Sequence, residues 1–434
     1  MKKTFILLMS MLFLTGTLAY VAYVNDFIEL PYPQTDKENV SELISQNSPA
    51  NQSTDNYAVS EETVQIEENH SDLSVTVSGS QDSVKVFQEE ESSLLEDKQQ
   101  ERYSYSRLTP EEQNLYNEIL WAILEYQENV TLSTLDNNEI FKVFQCVLND
   151  HPEIFYVDGY TYTQYTLADA LKKITFTANY SLSQEEKEQR QQEIDNYVNQ
   201  CIGGMPQGAD EYTRVKYIYE YLIEHTEYDA EVEDNQNICS VFLDGRSVCQ
   251  GYAKATQYLL EKVGIPATLI LGTVKGGEGH AWNLVKIDGA WYYVDTTWGD
   301  ASYQAISETD SYPEQKTPVI NYDYLCVTTE QLCKTHTIDN VVEPPLCDSM
   351  EDNYYVREGL YITSVDEEQL TCIFQNSYEA GDTFVTLKCS SLDIYNELKE
   401  MLITNQAIFR YLNCPDKVVS YTNDEKQYTM SFWL

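Results

Sequence analysis

At 434 residues the chain has room for two or three domains, and a hydrophobic content of 42% is enough to bury a core. Its 71 acidic residues against 27 basic ones give a formal net charge of −44. That balance excludes a nucleic-acid partner, because phosphate contacts need a basic surface, and it predicts repulsion from anionic walls and lipids.

Residues 1–24 read as an export segment. Lys2 and Lys3 precede an apolar stretch, Thr4–Val24. The stretch is long for the core of a signal peptide and long enough to span a bilayer. A cleaved signal peptide and an uncleaved membrane anchor therefore both stand. The charge rule places the rest of the chain outside the cytoplasm in either case. Residues 25–102 hold 18 acidic and 4 basic residues. Without sustained apolar periodicity they read as a disordered acidic linker, in which Ser74–Val86 could briefly pair as strands.

Residues 103–207 read as an N-terminal helical or α+β region. Thr109-Pro110-Glu111-Glu112 is a helix start: a cap, a proline at the first position and acids in the first turn. A second helix is expected over Leu135–Leu148, an extended aromatic segment over Ile154–Tyr162, a strand over Ile174–Tyr180 and a polar helix over Ser183–Cys201. Asp210–His225 continues with another helix, and Asp229–Asp234 is an acidic loop without the spacing of a calcium loop.

Beyond Asp300, Ala301–Lys316 is a polar loop that could overhang a cleft. Glu343-Pro344-Pro345 marks a boundary. Residues 343–434 then predict a small α+β domain: strand Tyr354–Ile362, helix Asp366–Tyr378, strand Thr383–Cys389, helix Leu392–Leu412 and a strand or hairpin over Val418–Leu434. The 10 cysteines form no CxxC pair and no zinc-like quartet, so no metal and no cofactor are expected.

The chemistry lies between Gly245 and Asp300. Ser247-Val248-Cys249-Gln250 has the S-x-x-Q pattern of a capping box, followed by helical period up to Gly264-Ile265-Pro266. Cys249 is thereby expected in the first turn, where the helix dipole and free amides favour a thiolate and can face an oxyanion. His280–Ile287 and Ala290–Thr296 read as strands joined by Asp288-Gly289, a type I′ hairpin signal. Extending that register pairs His280 with Thr297 and Trp282 with Asp295. His280 and Asp295 are then diagonal neighbours on one face, within reach of an imidazole–carboxylate hydrogen bond. Trp282, opposite Asp295, could shield the couple from water. Trp282 and Gln250 are also candidate substrate or oxyanion contacts.

The same residues resemble the transglutaminase-like superfamily in its bacterial branch. They are Gly245-Arg246-Ser247-Val248-Cys249-Gln250-Gly251-Tyr252-Ala253, Gly264-Ile265-Pro266, His280-Ala281-Trp282-Asn283, and Asp288-Gly289 with Trp291-Tyr292, Val294-Asp295 and Thr297-Trp298. The resemblance implies a papain-like α+β fold over residues 208–342, with Cys249 as nucleophile, His280 as general base and acid, and Asp295 as orienting group. It also places Tyr228 near the site, as a candidate substrate or oxyanion contact. If Cys249 is a reduced nucleophile, nine cysteines remain, an odd number, so most are expected as buried free thiols.

The expected function is an extracytoplasmic thiol enzyme acting on amide bonds through a thioester, as a protease or amidohydrolase. Its substrate would be a protein or cell-wall peptide, and it would meet the membrane through the N-terminal segment if that stays uncleaved. Protein crosslinking, a non-catalytic surface-binding protein that keeps the fold, and an assembly factor binding partners through its tail domain remain as alternatives.

Overall fold

The computed structural model describes residues 58–65, 99–168, 170–300, 320–413 and 418–434. The expected export segment, the Ser74–Val86 stretch and the Ala301–Lys316 loop lie outside these residues. Among the described residues no helix is long and apolar enough to cross a membrane.

The chain begins with β1 (Ala58–Gln65), followed by helix α1 (Pro110–Leu124), β2 (Val130–Thr131), helix α2 (Asn137–Asp150), β3 (Val157–Leu167) and β4 (Ala170–Tyr180). These strands form one sheet in the order β1-β3-β4-β2. A strand at 58–65, parallel to β3, corrects the expectation of unbroken disorder across 25–102. Apolar periodicity was the wrong test there, because an edge strand needs a backbone partner more than an apolar face.

The helix starts follow the capping chemistry. Thr109 and Glu112 close a capping box ahead of α1, and Asp136 caps α2. Ser183 and Glu186 close another ahead of α3 (Gln184–Gly203), and Asp210 caps α4 (Glu211–His225). Each cap satisfies amides that the helix itself leaves open, at about 1 kcal/mol apiece.

Next come the paired short strands β5 (Glu227–Tyr228) and β6 (Arg246–Ser247), helix α5 (Cys249–Lys262), and strands β7 (Ala267–Val274), β8 (Gly279–Ile287) and β9 (Ala290–Val294). After α6 (Thr296–Gly299) and α7 (Thr329–Leu332), β10 (His336–Ile338) returns to complete a sheet in the order β10-β7-β8-β9. Helix α5 is buried on every side from Gln250 to Leu260, as the central helix of a core must be. The Gln257 amide donates to the Asn149 carbonyl at the end of α2 (3.0 Å), and Asn283 on β8 donates to the Ala253 carbonyl (2.9 Å). One continuous apolar core runs from Tyr103 to Cys347, so the N-terminal elements and the α5 region share it.

A second core spans Ile362 to Phe432. It lies between β11 (Tyr361–Ile362), β12 (Phe384–Cys389), β14 (Thr429–Trp433) and β13 (Tyr421–Asp424), in that sheet order, and the helices α9 (Glu367–Ala380) and α10 (Leu392–Lys399). Two expectations are corrected here. Tyr354–Arg357 is a short helix, α8, capped by Asn353, and only Tyr361–Ile362 is strand. The long helix expected over Leu392–Leu412 passes into a wider turn at Glu400–Thr404 and breaks where Gln406 takes a positive φ of 57°. The chain is an α+β protein in which helix α5 and the sheet β10-β7-β8-β9 share one core with the N-terminal elements, and a second core follows.

Candidate active site

Three elements converge on the site. Cys249 is the first residue of α5. The expected capping box does not form: the cap residue is Val248, whose apolar side chain makes no cap hydrogen bond. Ser247 turns the other way. Its hydroxyl donates to the Asn235 carbonyl (3.1 Å) and meets the Ser240 hydroxyl (2.7 Å). That packing depends on Gly251, where a Cβ would lie 1.9 Å from the Ser247 hydroxyl. The correction matters chemically, because no side chain of the cap occupies the first-turn amides. Cys249 is partly exposed at this end, whereas most of the other described cysteines are buried; all nine described are free thiols.

His280 is the second residue of β8, opposite Gly272 of β7. The Asp288-Gly289 turn is as expected, with positive φ at both residues, and it fixes the β8–β9 register from Ile287↔Ala290 to Asn283↔Val294. The ladder stops there. The expected pairs His280–Thr297 and Trp282–Asp295 do not form, because Asp295 leaves the sheet to cap α6, accepting from the Trp298 amide at 3.1 Å. A capping aspartate gains more from open helix amides than from a further strand pair. This turn still carries its second oxygen to His280, whose Nε2 donates to Asp295 Oδ2 at 2.8 Å. The couple forms, through a cap and not through a ladder.

The electrostatics follow from burial and neighbours. His280 and Asp295 are 2% and 1% exposed. Burial alone would lower the His280 pKa, but the Asp295 carboxylate, with a bond to the Cys249 side chain, lifts it to about 10. Burial would raise Asp295, yet His280 and a second histidine, His336, hold it well below the usual carboxylate range. With Nε2 engaged by Asp295, Nδ1 is the ring nitrogen left for the thiol.

Sequence reasoning missed His336. Its Nε2 lies 3.0 Å from the same Asp295 oxygen, and its ring is buried. Thr335-His336-Thr337 on an edge strand carries no local signal, and the contact spans 41 residues of chain. Among the described residues, His280, Asp295 and His336 form the group that could hold a metal, with ligand atoms within 4.8 Å of one another. All three atoms are already joined by hydrogen bonds, which explain the arrangement without an ion.

The remaining candidates lie close by. Trp282 is fully buried; its ring stacks on His280 at 5.9 Å and meets His336 edge-on at 5.1 Å. A ring so enclosed packs the couple and excludes water from it. Tyr228 is half-buried and pairs with Ser247, two residues before the thiol. Gln250 is buried and, with Lys254, Phe155 and Asp158, lines a cavity of about 210 Å³.

The transglutaminase-like superfamily matches this chain over residues 195–296. Kyphoscoliosis peptidase of Homo sapiens is 26% identical over 169 residues, covering 34% of this chain and 25% of that protein. The Mus musculus protein of the same name is 29% identical over 119 residues, covering 24% and 18%. The chain thus spans about a quarter or less of these relatives. Among solved structures, a crystal structure of a TGase aligns over 37% of this chain and 53% of its own at 13% identity and a TM-score of 0.24. The periplasmic domain of TgpA from Pseudomonas aeruginosa aligns over 32% and 59% at 14% identity and a TM-score of 0.21.

Proposed function

Because residues 195–296 make this chain a member of the transglutaminase-like superfamily, we propose that it is a thiol enzyme that cleaves amide bonds through a Cys249 thioester. One observation carries the reading: a partly exposed thiol at a helix start whose cap residue is the apolar Val248 lies beside a histidine already bonded to a buried aspartate. The Cys249 sulfur attacks the carbonyl carbon, and the π electrons move to oxygen. The first-turn amides of α5 face that oxyanion. Collapse breaks the C–N bond, and imidazolium His280 gives its proton to the leaving amine. His280 then takes a proton from water, which attacks the thioester and frees Cys249. Asp295 holds the ring and its charge throughout. The aligned relatives are named peptidases, which favours water over an amine as acceptor. The Lys2-Lys3 and Thr4–Val24 pattern supports action outside the cytoplasm on protein or wall peptide.

The test incubates the full chain with an unfolded protein such as casein, with and without a fluorescent primary amine. New amino termini that vanish in Cys249→Ala are the expected result. Amine incorporation without cleavage would move the assignment to crosslinking. Activity retained in Cys249→Ala would overturn it.

A further inference from the structure

Asp295 Oδ2 sits between two imidazoles, and His336 is the one that the triad does not account for. Its Nε2 lies 3.0 Å from Asp295 Oδ2, and its Nδ1 lies 2.8 Å from the Thr335 hydroxyl, which also donates to the Leu332 carbonyl at 3.3 Å. The Thr335 oxygen in turn lies 3.4 Å from the Tyr324 hydroxyl, which accepts from the Gln427 side chain, also at 3.4 Å. Gln427 belongs to the C-terminal unit. That unit grips the same segment twice more. Lys388 of β12 pairs with Asp323 (2.7 Å), and Thr429 of β14 donates to the other Asp323 oxygen (3.2 Å). The neighbouring Tyr324 carbonyl accepts from the Asp295 amide (3.0 Å). The backbone and the side chain of Asp295 are therefore both held by groups that the C-terminal unit anchors.

We propose that His336 is a positioning residue that fixes Asp295 against His280, and that the C-terminal unit keeps His336 in place through Tyr324 and Thr335. The inference rests on the reading of Cys249, His280 and Asp295 given above. It also gives the C-terminal unit a task that its sequence does not announce. Both His336 and that unit lie beyond the residues matched by the superfamily.

The experiment follows iodoacetamide alkylation of Cys249 at neutral pH in the full chain. His336→Phe fills the space without a donor. His336→Gln restores an N–H near the position of Nε2. His336→Phe is expected to slow Cys249 alkylation by about tenfold, as a displaced orienting group should, and His336→Gln to recover most of that loss. Tyr324→Phe and Thr335→Val leave His336 in place and remove only the hydroxyls behind it; each should slow the reaction about twofold to threefold.

A folded His336→Phe protein that reacts like wild type overturns the proposal, as does a His336→Gln protein no faster than His336→Phe. If His336→Phe does not fold, wild-type rates in both hydroxyl variants overturn it. His280→Ala separates the two levels. If that change leaves alkylation untouched, the proposed function itself fails. If it slows alkylation while the His336, Tyr324 and Thr335 variants do not, only the present inference fails.

Discussion

Asp295 accepts three hydrogen bonds: one from the Trp298 amide and two from imidazoles. Its charge governs how the site responds to pH. With His280 lifted from its ordinary 6.5 to about 10, the stability it contributes is complete below about pH 6.5 and is lost as pH rises through about 10. Asp295 is shifted down, so its contribution is present above the ordinary carboxylate range and is lost only in strong acid. Asp295→Asn keeps an oxygen acceptor but removes the charge. The His280 value should then fall, and the alkaline edge of the melting-temperature plateau should move from near pH 10 towards neutrality. An unchanged alkaline edge in Asp295→Asn would show that the carboxylate does not hold the imidazolium. His280 and Asp295 were legible as a pair because the two-residue turn folds the end of one strand back beside the start of the other, although their bond is made from a helix cap beyond the ladder. His336 was not, because what identifies it is proximity in space.

At the scale of elements, the helix starts α1 to α4 were legible because their caps are local chemistry. The start of α5 was misread for the opposite reason. Ser247 and Gln250 have the spacing of a capping box, but tertiary packing draws Ser247 towards Ser240 and Asn235. Gly251 permits this. A Cβ there would lie 1.9 Å from the Ser247 hydroxyl and 2.8 Å from the Asn235 carbonyl, and the carbonyl belongs to the backbone and cannot swing aside. Gly251→Ala should cost about 1–3 kcal/mol in chemical denaturation, as overpacking does, and should slow Cys249 alkylation as the helix start shifts. A variant as stable and as reactive as wild type would contradict this account of the first turn. Likewise the strand expected to run through Thr296 ends at Val294, because an aspartate followed by a short helix can serve as a cap. Both signals lay in the sequence, and the more local one prevailed.

At the scale of the molecule, two cores meet across a buried ion pair. Lys388 and Asp323 are 2% and 6% exposed and lie 2.7 Å apart. Removing Lys388 leaves the buried Asp323 carboxylate to the Thr429 hydroxyl, without its paired charge. Lys388→Met should therefore destabilise the protein by about 3–5 kcal/mol, and adding Asp323→Leu should recover much of that loss. Equal stabilities across wild type, single and double variants by denaturant titration would contradict the pairing. Composition indicated a separate C-terminal α+β unit, but the diprolyl break at Pro344-Pro345 comes before Cys347, which still packs in the first core. It could not indicate that this unit grips the segment behind Asp295, since buried pairs such as Lys388–Asp323 join residues 65 positions apart.

The most direct test of the whole account alkylates the full chain with iodoacetamide across pH and reads each cysteine by peptide mass spectrometry. Cys372 is exposed and serves as the internal standard in the same sample, whereas burial pushes the Cys333 thiol up. The account predicts that Cys249 reacts faster than Cys372 at neutral pH and that His280→Ala abolishes the lead. A Cys249 that reacts no faster than Cys372, or equally fast in His280→Ala, would contradict the thiolate–imidazolium pair on which the proposed chemistry depends.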